Sequence, residues 1–257
     1  MRARSAAIEF QKPTHMEIEG KRVLVTGASR GLGRALVSAF VAAGAREVLA
    51  GARKREDLEA LKSERVTPVR LEVRSDEDVE ALARMGSIDI LINNAGVAGY
   101  GNPLTMNFVA AEEEMAVNYF GVLRVTRAVA PGMIEKGDGM IVNIATAFAR
   151  VNLPLVGTYC ATKAALLSLG QALRAYLSPH GVRVITVMPT TIDTDMSRGA
   201  DVPKMTKEFV AGEILAAIRD ERHDPPIGVE AIGVFEQLSK DPVNLENMLA
   251  RLVQTEN

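Results

Sequence analysis

Tyr159 and Lys163 stand four residues apart in a stretch of helical periodicity, so their side chains share one face. A free phenol holds its proton up to a pH near 10. A neighbouring cation favours the phenolate and brings the pair within reach of acid–base work near neutrality. Thr146, thirteen residues before the tyrosine, offers a hydroxyl that can bond a substrate oxygen. A different chemistry is suggested by Gly27-Ala28-Ser29-Arg30-Gly31-Leu32-Gly33. Glycines let the backbone take positive φ and approach a ligand closely, and a helix N-terminus presents free N–H groups and a partial positive charge. A pyrophosphate fits such a turn; a strand-to-helix turn without a ligand is the alternative. Asn118, in the apolar stretch Val117-Asn-Tyr-Phe-Gly121, reads in isolation as a local hydrogen-bonding residue.

The elements that must position these residues follow from the apolar pattern. Arg22–Thr26 is a β-branched run suited to a buried parallel strand, and Ala35, Leu36, Ala39 and Phe40 recur at helical spacing after the glycines. Glu47–Ala50 reads as a second strand, followed by Ala52-Arg53-Lys54. An acid about 20 residues beyond such glycines grips a ribose 2′-hydroxyl, whereas an Arg there accommodates a 2′-phosphate. Arg53, with Arg30 as a second cation, favours NADP(H) over NAD(H); a solvated basic loop before an Arg55–Lys62 helix is the alternative. Further strands are predicted at Val66–Val73, Ile88–Ile92, Met140–Ile144 and Val182–Val187, with Asn93-Asn94-Ala95-Gly96 closing the fourth. Helices are predicted near Val79–Arg84 behind a Ser75 cap, over Glu112–Ala130, from Gly157 to Leu177, and over Phe209–Arg219. Alternation of strand and helix predicts an α/β fold: a single doubly wound, mostly parallel Rossmann-type sheet flanked by helices.

Length and composition bound the rest. A chain of 257 residues fits one such domain, predicted over 20–257 after a flexible lead-in at 1–19. Within it, a substrate loop is expected at about 195–206 and a tail at about 221–257, with a short strand at Pro226-Ile-Gly-Val and an amphipathic helix over Asn244–Val253. Net charge is −2 with mixed signs, which argues against nucleic acid as a partner, and no apolar run is long enough to cross a bilayer. The lone Cys160 excludes an intramolecular disulfide and argues for a reducing, cytoplasmic setting. It reads as a packing residue, and His180 as a residue of an exposed turn. No metal site is expected.

Taken together, Thr26-Gly27-(three residues)-Gly31-Leu-Gly33, Asn93-Asn-Ala-Gly96, Asn118 and Tyr159-(three residues)-Lys163 resemble, in order and spacing, the signature of the short-chain dehydrogenase/reductase family over about residues 20 to 220. The resemblance implies an NADP(H)-dependent oxidoreductase that interconverts a carbonyl and an alcohol, with Tyr159 as acid/base. It further implies that Lys163 holds the nicotinamide ribose, that Asn118 keeps a water chain from Lys163 to solvent, and that Thr146 stands in for the catalytic serine. Gly27, Ser29, Arg30, Gly31, Leu32 and Gly33 would hold the cofactor together with Arg53. By the same resemblance Glu72 and Val73 lie by the adenine, Asn94, Ala95 and Gly96 line the adenosine side, and Pro189, Ile192 and Thr194 meet the nicotinamide end. Homodimers or homotetramers through the long apolar helices are implied too.

Two departures bear on activity. Thr146 carries a methyl that restricts χ1, and Thr190 follows Pro189 where the family commonly has glycine. They motivate an alternative, a nucleotide-binding regulatory or scaffold protein of the same fold; an epimerase or dehydratase of that fold is a third reading. Tyr100, Phe148, Leu153, Leu155 and Met196 are candidate pocket walls and suit an apolar aldehyde, ketone or secondary alcohol.

Overall fold

Seven parallel strands pair in the order β3-β2-β1-β4-β5-β6-β7 in the computed structural model, which describes residues 15–199 and 201–254. They are β1 (Arg22–Thr26), β2 (Glu47–Ala52), β3 (Val66–Arg70), β4 (Ile90–Asn93), β5 (Gly139–Ile144), β6 (Val182–Pro189) and β7 (Pro226–Ile227). Residues alternate between two buried faces, which is why the strands read as unbroken apolar runs. Val23, Val25, Ile90 and Ile92 face α1 (Gly31–Ala42) and α6 (Lys207–Arg219), packing on Leu36, Phe40 and Ile214. Leu24, Leu49, Leu91 and Ile141 face the opposite layer, where Leu82 of α2 (Asp76–Ala83), Val125 and Met133 of α4 (Val122–Lys136) and Leu177 of α5 (Gly157–Leu177) cover them. The strand order reverses between β1 and β4, so the loops leaving these strands diverge and open a crevice.

Beneath that crevice a polar row crosses the apolar sheet. Asn93, Asn143 and Thr186 sit opposite one another on β4, β5 and β6, fully covered, and Asn93 Nδ2 donates to Asn143 Oδ1 at 3.0 Å. α5 crosses this row at Gly170, where a Cβ would lie 2.5 Å from Thr186 Oγ1, so the helix comes closer to the sheet than any side chain would permit.

Several expectations are corrected. The helix predicted over Glu112–Ala130 is three pieces: α3 (Phe108–Met115), a π turn (Ala116–Gly121), and α4. α3 begins early because Asn107 Oδ1 caps it, accepting from Val109 N at 3.0 Å. β3 ends at Arg70 rather than Val73, because Asp78 Oδ2 accepts from Glu72 N and draws the chain off the sheet. Ser75 caps α2 as expected, its Oγ accepting from Asp78 N. Within the predicted 1–19 lead-in, residues 1–14 lie outside the described chain, but Met16 and Ile18 are buried in the α1/α6 core. The tail holds β7, α8 (Pro242–Gln254) and an unforeseen α7 (Val229–Lys240). No described helix is long and apolar enough to cross a membrane.

Candidate active site

The chain leaves β1 through Gly27 at φ +66°, and a Cβ there would lie 2.8 Å from Ala95 Cα. At Gly33 a Cβ would lie 2.2 Å from the Gly27 carbonyl oxygen, so both positions require glycine for close approach. Asn94 clamps the turn from β4: its Nδ2 donates to the carbonyls of Thr26 at 2.9 Å and Gly27 at 3.1 Å. Thr26 Oγ1 in turn accepts from the backbone N–H groups of Asn94 and Ala95. The result is a fixed cradle of backbone in front of the α1 N-terminus, the shape that receives a phosphate.

A cavity of about 320 Å³ runs from this cradle across the crevice. Its lining brings together Gly27, Ser29, Arg30, Gly31, Leu32, Gly33, Arg53, Glu72, Val73, Asn94, Ala95 and Gly96 with Thr146, Tyr159, Lys163, Pro189, Ile192 and Thr194. Tyr100, Phe148, Leu153 and Met196 also line it. Leu155 does not; Val156 takes that place, and the Leu155 carbonyl accepts from Gly101 N at 3.0 Å.

Asn118 is placed behind the wall rather than on it. Its Oδ1 accepts from Val97 N and its Nδ2 donates to the Val97 carbonyl and to Thr162 Oγ1, each at 2.9 Å. Between it and Lys163 lies Gly96, where a Cβ would stand 3.2 Å from Asn118 Oδ1 and 3.6 Å from Lys163 Nζ. The glycine leaves a gap between the two polar groups.

Thr146 is buried at the end of β5, and its hydroxyl receives only a long 3.4 Å contact from Phe148 N. Lys163 reaches across the helix–sheet interface to donate to the Ile144 carbonyl at 2.8 Å, with Nζ 5.6 Å from the Tyr159 ring centre. Burial lowers the lysine to about 8. The phenol does not behave as the Tyr–Lys spacing predicts: burial, then Cys160 and Glu114, push Tyr159 above its usual range. The Lys163 ammonium, meanwhile, is bonded to the Ile144 carbonyl. Cys160 is buried, its thiol pushed up by that burial, as a packing residue should be. His180 lies exposed in its turn.

At the outer end Arg53 is exposed at the rim. Arg30 donates to Asp195 Oδ2 at 3.3 Å, across the mouth of the crevice. Burial raises Glu72, but hydrogen bonds from Arg74 and the charges of Arg74 and Arg53 outweigh it and hold the carboxyl below its ordinary value. Thr190 is not forced into positive φ, so its side chain brings no backbone strain, and its Oγ1 donates to Glu230 Oε2 of α7 at 3.1 Å. Neither Glu230 nor the buried Glu114 drew attention in the sequence. Glu114 does lie four residues before Asn118, a spacing that could have flagged it. No cluster of metal-ligating side chains occurs among the described residues.

A family model described as short chain dehydrogenase matches residues 21–203. The chain is 40% identical to L-xylulose reductase of Mus musculus over 185 residues, which cover 70% of this chain and 75% of that protein. It is 39% identical to D-erythrulose reductase of Gallus gallus over 187 residues, covering 71% and 76% respectively. Among solved structures, a short chain dehydrogenase from Burkholderia cenocepacia in complex with NADP superimposes with a TM-score of 0.87 at 40% identity, covering 91% of this chain and 99% of that one.

Proposed function

The chain belongs to the short-chain dehydrogenase/reductase family, and on that premise we propose that it interconverts an apolar carbonyl compound and its alcohol with NADP(H) as cofactor. It is an oxidoreductase of C=O and CH–OH groups. The observation that carries the finer reading is the convergence of Thr146, Tyr159 and Lys163 on the cavity that the glycine cradle also lines.

The residues fit the cofactor. The cradle would hold the pyrophosphate, because it faces the N-terminus of α1, which no side chain caps and whose N–H groups and partial positive charge favour an anion. Arg53, with Arg30 on the same rim, would take the 2′-phosphate in preference to a bare ribose hydroxyl. When bound, the nicotinamide supplies or accepts the hydride. The remaining work falls to the protein. Tyr159 gives its phenolic proton to the carbonyl oxygen as it becomes an alkoxide, and Thr146 donates a hydrogen bond to the same oxygen. Lys163 keeps a cation beside the phenolate that is left, and a water beside Gly96, between Lys163 Nζ and Asn118 Oδ1, would return the proton. Asn118 is a positioning residue, since both its polar side-chain atoms are engaged.

Thr146 and Thr190, the two departures that suggested an inert scaffold, both find a place: the first keeps its hydroxyl at the cavity and the second is unstrained. The substrate end is walled by Val97, Ala98, Phe148, Leu153 and Val156. These walls favour an apolar aldehyde or ketone over the polyhydroxylated substrates for which the mouse and chicken relatives are named. Assay of aldehydes and ketones with NADPH and with NADH, followed at the absorbance of the reduced nicotinamide, tests the reading. Turnover of apolar carbonyls with NADPH is expected; equal use of NADH, or preference for sugars, refutes the corresponding part.

Exposed small residues Ala161, Ala164, Ala172 and Ala175 on α5, with Tyr176 beside them, support pairing of copies through this helix. A dimer or tetramer is expected by light scattering at micromolar concentration, and a monomer would refute the pairing. The single buried thiol supports a reducing, cytoplasmic setting.

A further inference from the structure

The run Glu112-Glu113-Glu114 lies on α3, with Glu112 exposed and Glu113 near Arg74, but Glu114 is only 2% exposed. One of its oxygens, Oε1, accepts from the backbone N–H of Gly99; the other, Oε2, is buried with no hydrogen-bond partner among the described residues. A carboxyl group held in this way lowers stability, because one of its oxygens gives up water and gains no partner. A methionine would fill the same space without that cost, so the glutamate is there for what it fixes.

What it fixes is the segment over the substrate end of the cavity. Asn118 holds Val97 by both its N–H and its carbonyl, and Glu114 holds Gly99 two residues on. Val97, Ala98 and Tyr100, on and around these two pins, line the cavity. Gly99 has no spare room: a Cβ there would lie 3.2 Å from both Glu114 Oε1 and Met106 Cε. Met106 continues the connection, since its sulfur accepts from Thr158 Oγ1 at 3.2 Å, one residue before Tyr159 on α5. The geometry points to Glu114 as a positioning residue that sets the roof of the substrate pocket relative to Tyr159. This role rests on the carbonyl-reductase reading for its kinetic consequence, but not for the pin itself.

The test uses Glu114→Met, Glu114→Gln and Gly99→Ala in the full chain. Glutamine keeps an acceptor for Gly99 and removes the charge; methionine removes the acceptor at similar volume. Glu114→Met should raise KM for the preferred aldehyde about tenfold and leave the NADPH Kd unchanged, and because both variants remove the charge that helps raise Tyr159, any change in kcat should be shared by Glu114→Met and Glu114→Gln. Glu114→Gln should restore a KM near that of the unsubstituted protein. Backbone amide exchange of Val97–Tyr100 should quicken in Glu114→Met alone, with the glycine cradle and α5 unaffected. Gly99→Ala crowds the same contact from the other side and should raise KM without altering NADPH affinity, which covers the case of a Glu114→Met chain that does not fold. Unchanged KM and exchange in Glu114→Met would overturn the proposal. So would a Glu114→Gln chain whose KM is as high as that of Glu114→Met, or failure of Glu114→Met to fold together with a neutral Gly99→Ala. If the unsubstituted protein turns over no carbonyl, the functional reading fails while the exchange data still decide whether Glu114 pins the segment.

Discussion

Removing the Thr146 hydroxyl separates catalysis from structure, because the two roles predict different magnitudes. In the structure this hydroxyl accepts only one 3.4 Å contact, from Phe148 N, beyond the range of a good N–H···O bond. Its structural contribution is therefore at the low end for a cap, about 0.5 kcal/mol, which is a shift of a few degrees at most in Tm. As a donor aimed at the reacting oxygen, the same hydroxyl is worth about 2.7–4 kcal/mol, or roughly 10²–10³ in rate. Thr146→Ala should accordingly lower kcat/KM at least about a hundredfold while Tm and NADPH affinity stay nearly constant. Thr146→Ser should retain activity or raise it, since it keeps the hydroxyl and drops the methyl that restricts χ1. Tyr159→Phe is the companion control, binding cofactor but not turning over. The assay is initial-rate kinetics with NADPH and the preferred aldehyde, beside thermal melts and fluorescence titration. Turnover unaffected in Thr146→Ala would show the hydroxyl to be a turn cap and remove it from the chemistry.

Arg53→Asp should weaken NADPH binding at least about tenfold, about 1.4 kcal/mol, and NADH binding much less; equal wild-type affinity for the two in equilibrium titration would contradict the placement of the 2′-phosphate. Lys163, lowered by burial to about 8, is charged below that pH and neutral above it, so carbonyl reduction should be level through neutrality and fall above about pH 8. The same lowering makes the unfolded chain bind more protons than the folded one between about 8 and the free lysine value of about 10.4, so this residue's contribution to stability should rise with pH across that window. Lys163→Met should abolish that rise in melts compared at the two ends.

The parts of the site legible in the sequence are those fixed by local spacing. Gly27 and Gly31 take positive φ and Gly33 packs on the Gly27 carbonyl, all within one turn, and Tyr159 and Lys163 share a face because a helix repeats every 3.6 residues. What could not be read depends on contacts between distant segments. Glu114 sits in an acidic run that looks solvated, and only the approach of Gly99 buries it. The π turn at Asn118 is invisible to a 3.6-residue period, which continues smoothly through Val117–Gly121. The bond from Lys163 to the Ile144 carbonyl is likewise not legible in the sequence, since that carbonyl lies on another element. α7 starts at Val229, one residue after β7, so a run that reads as the end of a strand is already the start of a helix.

The bare surface of Gly170 makes α5 a lever. Its fulcrum is the contact with Thr186, and Lys163 is seven residues, about 10 Å, along the arm. A 2.8 Å bond from Nζ to the Ile144 carbonyl tolerates little travel, and lifting the helix by about 1 Å takes it out of hydrogen-bonding range. A methyl group added at Gly170, pressed against Thr186 and Asn143 of the polar row, would thus be transmitted mechanically to the candidate site. Alignment of Lys163 is in this sense a property of the thickness of the layer beneath it.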